Sequence, residues 1–401
     1  MLLSLLMVLM LCAMQALSPA STSGQAGEEP RLTVYFANWN VYASPSAQVK
    51  NLPWDRLDCI HHAFWKITPR DGGYALVSTD ANADFGEGNP RAHFPQYAAY
   101  AKKYPQVEIL LSIGGWTCSG YFSEMCLTEG RRSSLIQSCL EALDEYPFFS
   151  GLDIDWEYPG VSRKGSGKDE GNPVAGDDKA NYTLFLKELR SALDRHFGKG
   201  AKRLTVCAGA AVDILAHQDY AALHPFVDRI SLMTYDMAGI GDAKTGHQTP
   251  LLGEPSVDSA VKYLLAQGVP ARKIAIGSPL YSHGWKLADP EQAAVGAKGQ
   301  AVSGANRLWK TVAKYESAAV PAGTPGWHAG YDEAAQAAYL WNDDPASADC
   351  RLFLTYESSR SLDAKLRYIR EKGLGGLIVW EAAGDGAGFP MLGQAFRGLH
   401  P

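Results

Sequence analysis

What most constrains the fold is a series of eight short, apolar, β-rich segments separated by stretches of helical periodicity. They are Leu32–Ala37, Leu57–Trp65, Val107–Ser112, Gly151–Glu157, Arg203–Ala208, Val227–Tyr235, Lys273–Leu280 and Gly376–Trp380. Most are near-continuous apolar runs, the pattern of parallel strands buried on both faces. Helical spacing is clear in Arg132–Tyr146, Lys179–Phe197, Val257–Gln267 and Ser361–Lys372, with Gly268 and Gly373 as expected C-caps. Eight strand-then-helix units predict an α/β fold, a (β/α)8 TIM barrel.

One interval breaks the rhythm. Between the seventh and eighth strands, roughly Lys286 to Arg351, the chain is rich in Ala and Gly and carries Trp309, Trp327, Tyr331 and Trp341. It is too long for a simple βα loop. The expectation is a small α+β subdomain over 286–351, inserted in a barrel formed by 31–285 and 352–401. It would stand on the C-terminal rim of the barrel, where active sites of this fold lie. Residues 160–178, with five glycines, predict a second, flexible loop on the same rim.

The segment from Met1 to about Leu17 is almost wholly apolar and runs into Ser18-Pro-Ala20, a small-x-small pattern. It reads as a signal peptide over 1–20, although no Lys or Arg precedes Arg31. The run falls short of the ~20 residues that span a bilayer comfortably, so a secreted protein with no membrane attachment after cleavage is expected. Residues 21–30 read as a disordered lead-in. Six cysteines follow Cys12, an even number that permits disulfide bonds in an exported protein, and Cys118 and Cys126 bracket a loop that a bridge could close. No Cys or His spacing suits zinc, so no metal is expected. The net charge of −6 leaves no basic surface for nucleic acid or anionic membrane. A neutral polymer suits it better.

The chemistry concentrates in Gly151–Glu157. Alternation along a strand sends Leu152, Ile154 and Trp156 toward the helices and Asp153, Asp155 and Glu157 into the barrel, ~7 Å apart in successive pairs. Barrel interiors normally hold branched apolar side chains, and no basic residue lies on this strand. Three inward acids repel one another, so one or two should keep a proton near neutral pH, as a general acid must. Glu157, the longest and nearest the mouth, is best placed to reach a leaving-group oxygen. Asp155, next inside, can exchange a proton with either neighbour.

This segment resembles the D-x-x-D-x-D-x-E signature of family 18 glycoside hydrolases, the chitinases and their relatives. Asp153, Asp155 and Glu157 match, while Ser150 replaces the first acid. Ser112-Ile-Gly114-Gly115-Trp116 is similar to the family's S-x-G-G motif, whose serine can hydrogen-bond the inner aspartate. Met233-Thr-Tyr235-Asp236 is similar to M-x-Y-D. Gly246–Leu251 looks like the family loop that follows, and Ile276–Trp285 resembles the seventh strand of the subgroup with an inserted domain. That subgroup usually has Arg where this chain has His283. Gly373–Glu381 matches the closing strand, and Tyr35 and Phe64 match in the first two.

The resemblance, from about residue 33 to 385, implies a secreted chitinase acting as a monomer on chitin or chito-oligosaccharides without metal or organic cofactor. Most glycosidases use two separated carboxylates, but this family uses substrate assistance. By resemblance, Glu157, Asp155, Asp153 and Tyr235 are catalytic. Tyr35, Phe64, Ser112, Gly115, Trp116, Met233, Asp236, Tyr281 and Trp380 bind substrate; Tyr235 and Asp236 hold the N-acetyl group, and Trp380 floors the cleaved sugar. Two other readings stay open: an endo-β-N-acetylglucosaminidase acting on N-glycans, and a chitin-binding lectin on the same barrel.

Overall fold

The computed structural model describes residues 29–43, 47–86, 88–289 and 292–401. The expected signal peptide and most of the expected lead-in lie outside the described residues. Fourteen strands follow in chain order: β1 Arg31–Ala37, β2 Cys59–Arg70, β3 Gly73–Ser78, β4 Glu108–Gly114, β5 Gly151–Asp155, β6 Arg203–Gly209, β7 Arg229–Met233, β8 Ile274–Pro279, β9 His283–Leu287, β10 Gly299–Ala301, β11 Trp327–Asp332, β12 Ala337–Asn342, β13 Leu352–Tyr356 and β14 Gly376–Trp380.

Eight of these form a closed parallel barrel in the order β1, β2, β4, β5, β6, β7, β8, β14, with β1 pairing both β2 and β14. This is the (β/α)8 architecture expected from the alternation. Strand residues Leu152, Ile154 and Trp156 join Leu111, Ile113, Leu204 and Val206 in one apolar layer against the surrounding helices. The helices begin and end where local chemistry dictates. The Thr128 side chain accepts from the Arg131 amide at the start of Glu129–Glu145, and Ser358 and Ser361 form a reciprocal cap at the start of Ser359–Lys372. Gly373 ends that last helix in the left-handed conformation, as a C-cap glycine does.

A second, antiparallel sheet of five strands, β10-β9-β13-β12-β11, lies in sequence between β8 and β14. With the helix Trp309–Ser317 it encloses its own small core of Ala305, Val312, Ala338, Leu340, Leu354 and Tyr356. The sheet extends past the 286–351 bounds on both sides: β9 begins at His283, and β13, Leu352–Tyr356, which pairs with it, lies wholly beyond 351.

Two local features depart from the sequence reading. The second barrel strand continues past Trp65 to Arg70 and turns back as the hairpin strand β3. Asp71 and Gly72 both have positive φ (50° and 79°), the backbone of a tight type I′ turn. The rim loop 160–178 is pinned rather than loose. Buried Asn172 accepts from the Trp156 indole at 2.8 Å and donates to the carbonyls of Tyr158 and Val161, while Arg163 pairs with Asp169 at 2.5 Å.

The expected disulfides are also corrected: all six cysteines among the described residues are free. Cys126 lies on the helix Phe122–Cys126 with its side chain packed in the outer core, whereas Cys118 ends a turn on the rim. Their spacing allows a bridge, but the helix turns the Cys126 side chain inward.

Candidate active site

The barrel interior is unlike the outer layer. Its apolar cluster is small, built from Tyr35, Ala63, Phe64, Cys207, Met233, Ala275 and Ile378, and it leaves room for the three acids of the β5 segment. Register sets their partners. Asp153 lies level with Ser112 of β4 and Thr205 of β6. Asp153 Oδ2 accepts from the Ser112 hydroxyl at 2.7 Å and the Tyr35 hydroxyl at 2.9 Å, and Oδ1 accepts from Thr205 at 2.6 Å. From β2, His61 Nδ1 comes within 3.2 Å of Oδ2, an ion-pair distance without hydrogen-bond alignment. The sequence reading found no base beside the acids on their own strand; the base arrives from another.

These contacts give the acids different characters. Burial alone pushes the Asp153 carboxyl up, but His61, then the Thr205 and Ser112 hydroxyls, overcome it and bring the group down to about 2. Asp155 is as deeply enclosed, and its Oδ1 has no hydrogen-bond partner. Burial, then the charges of Glu157 and Asp153, raise its carboxyl well above the ordinary range and so favour its protonated form. Glu157 follows the end of β5, and its amide donates to Ser119 Oγ at 3.0 Å. Burial and the Asp236 charge raise its carboxyl to about 7 against the pull of Tyr158 and Arg163. The column thus runs from a fixed anion at the bottom, through a protonated acid, to an acid poised near neutrality at the mouth.

Glycines bring the neighbouring strand close. A Cβ on Gly114 would meet the Asp155 carbonyl at 2.2 Å, and one on Gly115 would meet the Phe64 ring at 2.7 Å. Both residues have positive φ, and the Gly115 amide donates to the Asp155 carbonyl at 2.7 Å.

Above the column a cleft of about 280 Å³ is lined by Tyr35, Trp39, Phe64, Trp116, Thr117, Asp155, Glu157, Tyr158, Met233, Tyr235, Asp236, Tyr281 and Trp380. A second lobe of about 740 Å³ opens on the other side of Glu157, toward Ala211, Ile240 and His283. Trp380 stacks on Phe64 at 5.7 Å, and Trp39 lies 6.2 Å from it with 46% of its surface exposed. Trp116, 49% exposed, carries the Arg163 guanidinium on its ring at 3.9 Å. On the far wall the Tyr281 hydroxyl and His283 Nε2 both donate to Asp236 Oδ1, at 2.5 and 2.6 Å. His283 Nδ1 faces Asn306 Oδ1 at 2.9 Å, so both ring nitrogens meet acceptors and the charged ring is favoured. Burial works against that charge, but the Asp236 and Asn306 contacts raise His283 above the ordinary histidine value.

Most of the residues singled out from sequence converge on this mouth. Ser112 and Gly115 do not line either lobe: Ser112 is fully buried beneath Asp155's level on Asp153, and Gly115 packs behind Phe64. Sequence reasoning missed His61 and Thr205 beside Asp153, and Trp39, Thr117 and Tyr158 in the cleft. Among the described residues, no three His, Cys, Asp or Glu side chains are grouped as a metal would require.

The family model of glycosyl hydrolases family 18 matches residues 31–385. The chain belongs to that family. It is 32% identical over 350 residues to chitinase A of Pseudoalteromonas piscicida; the match covers 77% of this chain and 41% of that protein. A solved chitinase from Bacillus thuringiensis superposes with a TM-score of 0.80 at 25% identity, over 93% of this chain and 70% of the other. The group IV chitinase of Ostrinia furnacalis gives 0.79 at 25% identity, over 93% of this chain and all of the other (100%). His283 stands where the subgroup resemblance leads one to expect Arg. Among the described residues, no helix is long and apolar enough to cross a membrane.

Proposed function

We propose that this family 18 member is a secreted chitinase that hydrolyses β-1,4 bonds between N-acetylglucosamine units with retention of configuration. The observation that carries this reading is the graded column, in which Glu157 is the acid at the mouth and carries a proton near neutral pH. A retaining enzyme of the usual kind needs a second carboxylate as nucleophile. The candidate on the cleft wall, Asp236, is already tied to His283 and Tyr281. The acids therefore favour substrate assistance.

In this mechanism Glu157 gives its proton to the glycosidic oxygen as the bond to the anomeric carbon breaks. The carbonyl oxygen of the substrate's own 2-acetamido group closes on that carbon, forming an oxazolinium. Asp155, through its unpartnered Oδ1, and Tyr235 orient the acetamido group. Ionised Glu157 then takes a proton from water as that water opens the ring from the same face. Asp153 and Ser112 set the proton on Asp155 from below. Indole and phenyl faces of Trp380, Trp39 and Phe64 suit the apolar C–H faces of sugar rings. The lobes on either side of Glu157 suit a linear chain crossing it, and the similar proteins are named chitinases.

The test uses a defined N-acetylglucosamine oligomer and its counterpart lacking the acetyl group at the cleaved unit. The first should give β-anomeric product at first appearance by NMR. The second should not be turned over. Turnover of the second at a comparable rate would exclude substrate assistance.

A further inference from the structure

We infer that His61 is a positioning residue of this reaction: from the barrel floor it fixes Asp153 as a carboxylate, so that the column's mobile proton is confined to Asp155 and Glu157. The inference rests on the hydrolytic reading above and adds to it a group that does not line the cleft.

His61 and Asp153 are both buried, at 1% and 0% exposure, with Nδ1 3.2 Å from Oδ2. Tyr35 packs edge-on against the imidazole, with ring centres 4.8 Å apart, and gives its hydroxyl to the same carboxylate. Three hydroxyls already donate to Asp153, so a proton placed there must displace one of them and dissolve the ion pair.

The other surroundings of His61 do not compete for that role. It lines a cavity of about 120 Å³ at the N-terminal end of the barrel, opposite the cleft. Charged groups reach this cavity from every side: Arg31 on β1, Glu108 on β4, Arg203 on β6, Asp228 and Arg229 at β7, and Arg272 and Lys273 before β8. Cys59 lies on its own strand, and Cys207 of β6 contacts both Tyr35 and Asp153. The two floor acids have other partners, Glu108 with Arg31 at 2.7 Å and Arg203 at 2.9 Å, and Asp228 with Arg190 at 3.5 Å. Burial opposes a charge on His61, yet the Asp153 carboxylate first, and Cys59 after it, raise the imidazole to about 10. The sign follows: with its value raised, His61 stays cationic across the working range, and Asp153 stays ionised far into acid.

The test has two arms. In the wild-type protein, NMR of the His61 imidazole should show it protonated and not titrating between about pH 5 and pH 9. A His61 that titrates near its ordinary value of roughly 6.5 overturns the inference. In His61→Asn, the acidic limb of kcat/KM on an N-acetylglucosamine tetramer should move up by about one pH unit, because Asp153 now accepts a proton. KM should change less than about twofold, and the alkaline limb, set by Glu157, should move far less than the acidic one. Uniform loss at every pH, with both limbs in place, would assign His61 a merely structural part and overturn the inference. Should the variant not fold, the imidazole titration decides alone. A wild-type enzyme inert on the oligomer would refute the hydrolytic reading instead, and the NMR arm separates the two failures.

Discussion

Glu357 and Asp155 are both carboxylic acids enclosed by this fold, at 0% and 3% exposure, and their surroundings treat them in opposite ways. Glu357, just after β13, meets Lys365 at 2.5 Å, Ser278 of β8 at 2.9 Å and Ser361 at 2.6 Å. Lys365 also donates to the Thr249 hydroxyl and to the Gly277 carbonyl. Burial pulls the lysine below its usual value, and the Glu357 carboxylate counters this. The carbonyl of Glu357 accepts from the Trp309 indole at 2.9 Å, tying the helix of the second sheet to the barrel wall. Asp155 has no comparable set: one oxygen is orphaned, and the neighbouring carboxylates of Glu157 and Asp153 repel its charge. A buried charge that is fully partnered holds parts together, whereas one left short of partners keeps a proton available for work.

That contrast can be broken from either side. The larger effect should come from Lys365→Met, which strands Glu357 in the core. Loss of one partner of a buried pair costs roughly 3–5 kcal/mol, so chemical denaturation should show a stability drop of that order. The pH profile of the protein that remains folded should be unchanged. Asp155→Asn should do the reverse. Its kcat on N-acetylglucosamine oligomers should fall by about 10²-fold, roughly 2.7 kcal/mol, with stability within about 1 kcal/mol of wild type. Equal stability losses in the two variants would erase the distinction between them.

The legible part of this molecule was whatever one strand or one helix carries by itself. Continuous apolar runs located all eight barrel strands, and inward acids in an apolar context located the column. His61 escaped notice because it sits with His62 in an otherwise apolar strand run free of acids, and its significance depends on Asp153, which the folded barrel brings beside it. Thr205 was hidden for the same reason, being important only through its register with Asp153. The β2–β3 hairpin was announced by Asp71-Gly72, but the apolar run that ended at Trp65 drew the boundary too early. Cys118 and Cys126 showed the limit of spacing: separation along the chain says nothing about where a helix points a thiol. The Glu357–Lys365 pair joins the end of a strand to a helix face, and an acid and a lysine eight residues apart carry no local sign of burial.

The central claim is that Glu157 is the acid and the base of the reaction, and replacing it by glutamine keeps its size while removing its proton. Glu157→Gln should lower kcat on an N-acetylglucosamine tetramer by about 10²–10⁴-fold, the range of general acid–base catalysis. Calorimetric titration of Glu157→Gln with the same tetramer should give a Kd no more than about threefold above the wild-type KM. A Glu157→Gln enzyme that keeps more than about a tenth of the wild-type rate would contradict the account.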